Sequence, residues 1–402
     1  MSGERYCLVN GTVITPHRMM PCSAVLVEDA TIAAVYGPGD LPNDIGCEMF
    51  DVGGAYIAPG FIDIHLHGAG GYDVMEGTCD AFAGMARAHA RGGTTAIVPS
   101  TITSSHADLI TVLDAFESAF GKPTGGASLL GIHLEGPYFA VSQRGAQDAR
   151  YIKDPDANEY IAILDSYPHI IRVSAAPELP GALGLGRLLR SRGILASIGH
   201  TDASYDQVIA GIEAGYTHVT HLYSGMAGVR RVRAYRVAGA VESALLLDDL
   251  TVEIIADGRH LPASLLQLIY KCKGPAQIAL CTDSIGAAGM PDGEYNLGSP
   301  ENGQTVIVDE GVAWLPDRSA FAGSVAQANW LVRNMVQLAG ATLIDAVKMA
   351  TLTPARILGV SDRKGSLDQG KDADIVVFDR DVEVKLTIVG GKIVYEEHRE
   401  DN

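Results

Sequence analysis

The feature that most constrains the fold of this chain is a regular alternation of short apolar runs with segments of helical length. Such runs are typical of parallel strands that are buried on both faces. Eight of them predict an α/β fold, a closed (β/α)8 TIM-like barrel, although the count alone also fits an open, doubly wound sheet. The runs are YIAPGFIDIHLHG (56–68), TTAIVPST (94–101), SLLGIHLEGPY (128–138), HIIRVSAAPE (169–178), GILASIGHT (193–201), YTHVTHLYSG (216–225), TVEIIADGRH (251–260) and IALCTDSIGAAG (278–289).

Both ends of the chain have a different pattern, in which short β-branched runs alternate with turns. We therefore predict one small β-sandwich domain built from both termini, comprising residues 1–57 and 371–402. The barrel would then occupy residues 58–370. A run of β-forming residues around an Asp-Glu-Gly turn, TVIVDEGVAWL, predicts a β-hairpin insertion near residues 295–323.

Charge and cysteine content limit the class of protein. The 402 residues carry a net charge of −18, which repels a nucleic-acid backbone and argues against nucleic acid as a partner. We see neither an apolar run of about 18 residues nor a signal-like amino terminus, which predicts a cytoplasmic protein with no membrane partner. The six cysteines form no CxxC pair, so we expect reduced thiols rather than disulfides or a zinc knuckle.

Ionisable residues occur at or near the ends of the predicted strands. In a barrel these ends meet at one mouth, where the catalytic groups of this fold gather. Any one of these residues could be a packed, hydrogen-bonded group, but burying all of them at one rim would be costly without a compensating ion. The sequence therefore predicts a divalent metal site. The candidate residues are His65, His67, Glu135, His200, His221, His260 and Asp283.

His65 and His67 are separated by one residue in the first run. Side chains on a strand repeat every two residues, so both imidazoles lie on one side and can reach one ion. Imidazole and carboxylate ligands suit zinc, iron(II), manganese or cobalt. Cys281, two positions before Asp283, is only a weak candidate for a sulfur ligand.

These motifs resemble the amidohydrolase superfamily, and within it the N-acetylglucosamine-6-phosphate deacetylases. The resemblance covers essentially the whole chain, including the closing segment GSLDQGKDADIVVFD. The HLEGP and THxxH-type pieces are specific, whereas an HxH pair alone would be weak. The matching pieces are PGFIDIHLHG (59–68), HLEGPY (133–138), SAAPE (174–178), GHTDAS (199–204), THVTHLYSGM (217–226), EIIADGRH (253–260), CTDSIGAAG (281–289) and FAGS (321–324).

The resemblance implies a role for each candidate metal ligand. Glu135, His200 and His221 match the principal ligands of the family. His65 and His67 match the pair that holds a second metal in some members. One or two ions per chain are therefore implied, with Glu135 as the bridge. Zinc is the expected metal, and iron, manganese or cobalt are the alternatives.

The resemblance also implies the reaction: hydrolysis of the acetamide of N-acetylglucosamine-6-phosphate to glucosamine-6-phosphate and acetate, in amino-sugar catabolism. Asp283 would be both a metal ligand and the catalytic aspartate, taking a proton from the attacking water and passing it to the departing amine. His260 would contact the substrate carbonyl and stabilise the oxyanion. The metal would lower the pKa of water and so supply hydroxide near neutral pH.

Two short segments depart from the family pattern at the expected substrate site. Gln147 stands where members usually carry a histidine, and it can hydrogen-bond a sugar hydroxyl without carrying a charge. Ser224 and Gly225 replace an Asn-Ala pair, whose backbone amides could still face a sugar phosphate. The predicted substrate-binding residues are Ala146, Gln147, Ser224, Gly225, Arg230, Arg231, His260, Phe321, Ala322 and Gly323.

Arginines crowd a short segment after the sixth run, at positions 230, 231, 233 and 236. The segment could be a solvated surface loop. The alternative is an anion clamp, because guanidinium groups bind phosphate bidentately. In the family, an arginine near this place often reaches the phosphate held by the neighbouring subunit. The resemblance therefore implies a phosphorylated substrate and a homodimer.

Other functions stay open at this point. The substitutions at Gln147, Ser224 and Gly225 would also fit a deacetylase of another N-acyl amino sugar, such as N-acetylgalactosamine-6-phosphate or a non-phosphorylated sugar. A cyclic amidase fits less well, because those enzymes normally bridge their metals with a carboxylated lysine. A non-catalytic barrel scaffold would be expected to have lost ligands, and none of the expected ligands is missing.

Overall fold

The computed structural model, which describes residues 5–397, has a parallel barrel of eight strands at its centre. Strands 1 and 2 pair with each other, and strands 3 to 8 pair in chain order. A bridge between Ser100 and His133 joins strands 2 and 3, and the Asp283 amide donates to the His65 carbonyl (2.9 Å) between strands 8 and 1. The barrel strands are Phe61–Leu66, Thr94–Pro99, Ile132–Glu135, Ile170–Ala175, Leu195–Ile198, Tyr216–Val219, Thr251–Ile254 and Ile278–Leu280. Each lies inside one predicted run, so the predicted barrel is confirmed.

Helices connect the barrel strands and bury one face of each against the barrel core. Serine caps start two of them: the Ser105 hydroxyl accepts from the Asp108 amide, and Ser204 forms a capping box with Gln207. Within residues 5–397, no helix has the length and apolar character that crossing a bilayer requires. The α-helices are Cys79–Arg91, His106–Ala119, Ala157–Ser166, Ala182–Ser191, Tyr205–Ala214, Ala240–Leu246, Ala263–Lys273, Ala328–Gln337, Leu343–Ala350 and Leu352–Ile357. Short 3-10 helices span Val74–Glu76 and Val141–Gln143.

Strands from both ends of the chain form one separate sheet with its own apolar core. Strand Tyr56–Pro59 pairs with the N-terminal strand on one side and with Ile375–Phe378 on the other. A further bridge between Thr31 and Asp372 brings the two halves of this sheet together. The predicted domain built from both termini is therefore present. Its strands are Arg5–Ile14, Met19–Glu28, Thr31–Tyr36, Glu48–Asp51, Tyr56–Pro59, Ile375–Phe378, Val384–Val389 and Lys392–Glu396.

Small antiparallel elements extend from the barrel. The predicted insertion consists of strands Gly293–Leu297, Gln304–Asp309 and Val312–Trp314. Its second turn has Glu310 (φ 51°) and Gly311 (φ 75°), both in the left-handed region that a two-residue hairpin turn favours. Further short antiparallel strands are Gly68–Ala69, Tyr72–Asp73, Arg230–Val232 and Tyr235–Val237, whereas Ser128–Leu129 pairs parallel with the second barrel strand. The arginine-rich segment is thus an exposed two-stranded hairpin.

Candidate metal centre

The predicted metal ligands lie at the carboxyl ends of barrel strands. His65 is in strand 1 and Glu135 ends strand 3, whereas His200, His221 and Asp283 follow strands 5, 6 and 8. The last three residues have φ angles of 46°, 27° and 48°. Non-glycine residues rarely adopt this left-handed conformation, which costs about 1–3 kcal/mol each. The surrounding structure therefore maintains local backbone strain at three candidate ligand positions, as is common at functional sites.

The carboxylate of Glu135 lies among four imidazole rings. Its Oε1 is 3.0 Å from His221 Nε2, 3.2 Å from His200 Nε2 and 3.7 Å from His65 Nε2. Its Oε2 is 3.3 Å from His67 Nε2. All five side chains are buried. The structure therefore brings together residues that are up to 156 positions apart in the chain, counted from His65 to His221.

Asp283 lies at the same centre. Its Oδ1 is 3.2 Å from His67 Nε2 and 3.4 Å from His65 Nε2. The ligand atoms form two compact groups that share Glu135: one with His65 and His67, the other with His200 and His221. This arrangement can accommodate one ion or two, with Glu135 between them.

Hydrogen bonds on the outer side of the rings orient three of the four histidines. His65 Nδ1 lies 2.6 Å from Glu253 Oε1, and His67 Nδ1 lies 3.1 Å from the Ser100 carbonyl. His200 Nδ1 lies 2.8 Å from the Gln143 carbonyl. With Nδ1–H donating outwards, each Nε2 lone pair faces the centre, as metal-binding histidines require. Gly225 permits the third contact, because a Cβ there would lie 2.5 Å from His200 Nδ1.

Two observations test whether this centre suits a cation. Nε2 of His65 is buried and has no hydrogen-bond partner among the described residues, which is costly unless an ion or water binds it. Burial alone would lower the pKa of His65, but Glu253, Asp283 and Glu135 together raise it to about 9. Burial likewise opposes protonation of His67, yet Asp283 and Glu135 raise its pKa well above the ordinary value. The field at the centre therefore favours positive charge, and the donor set fits a divalent metal.

A cavity of about 200 Å³ opens onto this centre. Its wall includes seven of the predicted substrate-binding residues: Ala146, Gln147, Ser224, Gly225, His260, Phe321 and Gly323. The other three do not line it. Ala322 is fully buried, and Arg230 and Arg231 are exposed on the hairpin. A larger cleft of about 1180 Å³, between helix Cys79–Arg91 and the C-terminal strands, contains none of the metal-binding groups found in the described residues.

His260 faces the cavity and is held by its neighbours. Its Nδ1 is 2.7 Å from Asp257 Oδ2, and its ring lies 4.8 Å from the ring of Phe321. Since Nδ1 is occupied by Asp257, Nε2 is the nitrogen that remains for a ligand in the cavity. Because the Asp257 carboxylate only accepts, Nδ1 carries a proton, and His260 donates to a carbonyl oxygen only when Nε2 is protonated as well.

The side-chain amide of Gln147, which lines the cavity, is hydrogen-bonded within the protein. Its Nε2 donates to Glu135 Oε2 (2.6 Å), and its Oε1 accepts from the Thr103 amide (2.8 Å). These two bonds fix the orientation of the amide group, because only one placement of its oxygen and nitrogen allows both bonds. Gln147 therefore supports the Glu135 carboxylate directly.

A buried polar network that was not predicted from the sequence lies next to the centre. Arg172 and Glu253 are fully buried and lie 2.6 Å apart, and Glu253 also contacts His65 and His218. Burial would raise the pKa of Glu253, but Arg172 and His65 hold it well below the ordinary value. Cys281 approaches His65 and Glu253 as well, yet that carboxylate is already paired with Arg172. The sequence does carry a signal of this network, because a charged residue inside an apolar strand requires a partner.

The sequence of this chain is similar to those of known proteins. A sequence model of the amidohydrolase family matches residues 56–394. The N-acetylglucosamine-6-phosphate deacetylase of Vibrio furnissii is 34% identical over 372 residues, covering 92% of this chain and 90% of the relative. The N-acetylgalactosamine-6-phosphate deacetylase of Escherichia coli O157:H7 is also 34% identical, over 84% of this chain and 87% of the relative.

A solved structure is similar over nearly the full length. It is a variant of the N-acetyl-D-glucosamine-6-phosphate deacetylase of Mycobacterium smegmatis in complex with N-acetyl-D-glucosamine-6-phosphate. The TM-score is 0.89 at 32% sequence identity, covering 98% of this chain and all of the other. The family match and these relatives lead to one conclusion: the chain belongs to the amidohydrolase family, in the branch that contains the N-acetylglucosamine-6-phosphate deacetylases.

Proposed function

We propose that this protein is a metal-dependent deacetylase that hydrolyses the acetamide of N-acetylglucosamine-6-phosphate to glucosamine-6-phosphate and acetate. The observation that carries the proposal is a single cavity whose wall includes Glu135, Asp283 and His260. It combines a cation-favouring centre, a carboxylate that can move a proton, and a donor for a carbonyl oxygen. The assignment is supported by relatives in the same branch of the family, which are N-acetylglucosamine-6-phosphate deacetylases.

The ligands proposed to hold the metal are the four histidines around Glu135, together with Glu135 and Asp283. The two groups that share Glu135 support a pair of ions, with zinc as the expected metal. A bound divalent ion would polarise the acetamide carbonyl and lower the pKa of a nearby water. Since Glu135 belongs to both groups, it would help to hold either ion.

The residues of this chain then carry the proton and orient the amide. Asp283 removes a proton from the attacking water as the water oxygen bonds to the carbonyl carbon. His260, protonated at both ring nitrogens, donates from Nε2 to the carbonyl oxygen, which becomes negatively charged in the transition state. Asp283 returns the proton to the amide nitrogen as the C–N bond breaks, because an amine anion is a very poor leaving group. Acetate and the free amino sugar leave.

Recognition of a sugar phosphate requires positive charge from outside the cavity wall. Among the described residues that line the cavity, none is a lysine or an arginine. The exposed hairpin formed by Arg230–Val232 and Tyr235–Val237 is the proposed source, reaching the phosphate within its own subunit or in a partner. The homodimer and the cytoplasmic location stay predictions from the sequence.

Substitution of Arg230 and Arg231 by alanine is expected to weaken binding of the phosphorylated substrate selectively. A hydrogen bond to a charged group is worth about 1.5–3 kcal/mol, so KM for the sugar phosphate should rise roughly 10- to 100-fold. KM for the unphosphorylated sugar should stay unchanged. Arg363→Ala, at an exposed arginine of the segment that precedes the C-terminal strands, is the matched control. An equal loss with both sugars would contradict a phosphate clamp.

Parallel deacetylation assays test the proposed function. The purified protein is given N-acetylglucosamine-6-phosphate, N-acetylgalactosamine-6-phosphate and the two unphosphorylated sugars, and release of acetate is measured before and after chelation. We expect the highest kcat/KM with N-acetylglucosamine-6-phosphate, and loss of activity on chelation that Zn²⁺ restores. A preference for the galactosamine epimer would support the second candidate, which the Escherichia coli relative favours. No release from any of the four sugars would exclude both.

A further inference from the structure

Glu253 is a buried carboxylate in the seventh barrel strand, Thr251–Ile254, between the apolar residues Val252 and Ile254. Glu253 is not one of the metal ligands predicted from the sequence. An ionised carboxylate at such a position is costly unless it is paired and hydrogen-bonded. Its contacts therefore show what the barrel uses it for.

One oxygen of Glu253 contacts both groups of candidate ligands. Oε1 lies 2.6 Å from His65 Nδ1, and it also accepts from the backbone amide of His221 (3.0 Å). His65 belongs to the group with His67, whereas His221 belongs to the group with His200. A single atom thus positions one member of each group.

The other oxygen anchors the carboxylate. Oε2 accepts from Arg172 Nη1 (2.6 Å) and lies 3.4 Å from His218 Nε2. The guanidinium of Arg172 is in turn fixed by the Ile64 carbonyl (3.0 Å) and the Thr220 hydroxyl (2.9 Å). Because all of these groups are buried in the barrel, the carboxylate has little freedom to move.

We propose that Glu253 is a positioning residue that couples the two halves of the metal centre. It orients the ring of His65 with Nδ1–H outwards, and it fixes the backbone of His221 in its strained conformation. This inference rests on the proposed metal-dependent function. Loss of such an outer partner typically lowers metal affinity about 10- to 100-fold.

Glu253→Asp separates this role from a purely structural one. The shorter side chain keeps the negative charge that Arg172 needs, but it withdraws the carboxylate from His65 Nδ1. Glu253→Gln, which is matched in size, serves as the second variant if the aspartate destabilises the fold. Asp374→Asn is the control, because Asp374 is a buried carboxylate paired with Lys364 (2.5 Å) in the other domain.

The measurement is calorimetric titration of chelated, full-length protein with Zn²⁺, with Tm recorded for each variant. The titration is made in His67→Ala, which retains the group with His200, and in His200→Ala, which retains the group with His67. We expect Glu253→Asp to lower Zn²⁺ affinity in both backgrounds, about 10- to 100-fold where His65 is the ligand and less where His221 is. Asp374→Asn should lower Tm without changing affinity.

Two results would overturn the inference. One is unchanged affinity in both backgrounds despite a lowered Tm, which would leave Glu253 as a structural partner of Arg172. The other is a loss confined to one background, which would remove the coupling. Failure of the proposed function is a separate outcome, because then the unsubstituted protein itself would bind no Zn²⁺ or release no acetate.

Discussion

The Asp283→Asn variant is expected to keep its metal and to lose turnover by about 10²- to 10⁴-fold, the usual contribution of general acid–base catalysis. Asparagine has the same shape, and its amide oxygen can replace Oδ1 near His65 and His67, which lie 3.4 and 3.2 Å away. It cannot accept a proton from water or return one to the amine. The substitution, which changes one side-chain oxygen to an NH2 group, therefore separates metal binding from proton transfer.

The pKa of Asp283 fits this role as a base. Burial alone would raise the pKa of its carboxyl, but His65 and His67 hold it below the ordinary value. The carboxylate is therefore ionised at neutral pH and ready to take a proton. The measurement is kcat on N-acetylglucosamine-6-phosphate beside metal content by elemental analysis. Wild-type turnover in a fully metal-loaded variant would exclude Asp283 as the proton carrier.

The fold could be predicted from the sequence because burial on both faces leaves a clear pattern. Each of the eight apolar runs contains one barrel strand. The first run shows the limit of this reasoning: residues 56–68 contain both Tyr56–Pro59, which joins the small sheet, and Phe61–Leu66, which joins the barrel. Both strands are apolar and extended, and only their pairing partners, more than 30 residues away in the chain, distinguish them.

The arginine hairpin shows the opposite limit. Its strands have no buried face, and Tyr235 is 77% exposed. Without burial there is no alternation of apolar and polar residues, so the sequence carries no strand signal at this point. What sets this hairpin is the backbone pairing of Arg230 with Val237 and of Val232 with Tyr235.

The candidate ligands were predictable, whereas their supports were not. Ligands at strand ends follow from the geometry of a barrel, which brings all carboxyl ends to one mouth. Two of the supports, the carbonyl groups of Ser100 and Gln143, belong to the backbone and leave no mark in the sequence. Glu253 does leave one, but its partners depend on the closure of the barrel, which places Arg172 beside it from a strand 81 residues earlier.

Overall charge and local charge have opposite effects on the proposed substrate. A protein with a net charge of −18 repels a sugar phosphate at long range. The exposed arginines of the hairpin add positive charge that acts only locally, within a screening length of about 8 Å at physiological salt. The contribution of the hairpin should therefore weaken as ionic strength rises, which makes the salt dependence of KM a second readout of the Arg230 and Arg231 substitutions.

Glu135→Gln is expected to abolish stable metal binding, and activity with it. The carboxylate touches all four histidines, and burial would raise its pKa if the nearby imidazoles, His65 first, did not hold it well below the ordinary value. Glutamine removes the negative charge that both ligand groups share. It also turns an NH2 group either towards the imidazole Nε2 atoms or towards Gln147 Nε2, which already donates to Glu135. The loss should therefore exceed the roughly 100-fold typical of an outer partner.

The difference is measurable as stability. A ligand at 1,000 times its Kd stabilises the folded state by about 4.1 kcal/mol, so Zn²⁺ should raise the Tm of the chelated wild-type protein by several degrees. In Glu135→Gln this rise should vanish. Glu117→Gln is the matched control, because Glu117 also pairs with an imidazole, His169 Nδ1 at 2.6 Å, outside the cavity. A Zn²⁺-dependent rise in Tm that survives in Glu135→Gln but not in His200→Ala would mean that the histidines hold the ion without their shared carboxylate, and Glu135 could not be the bridge.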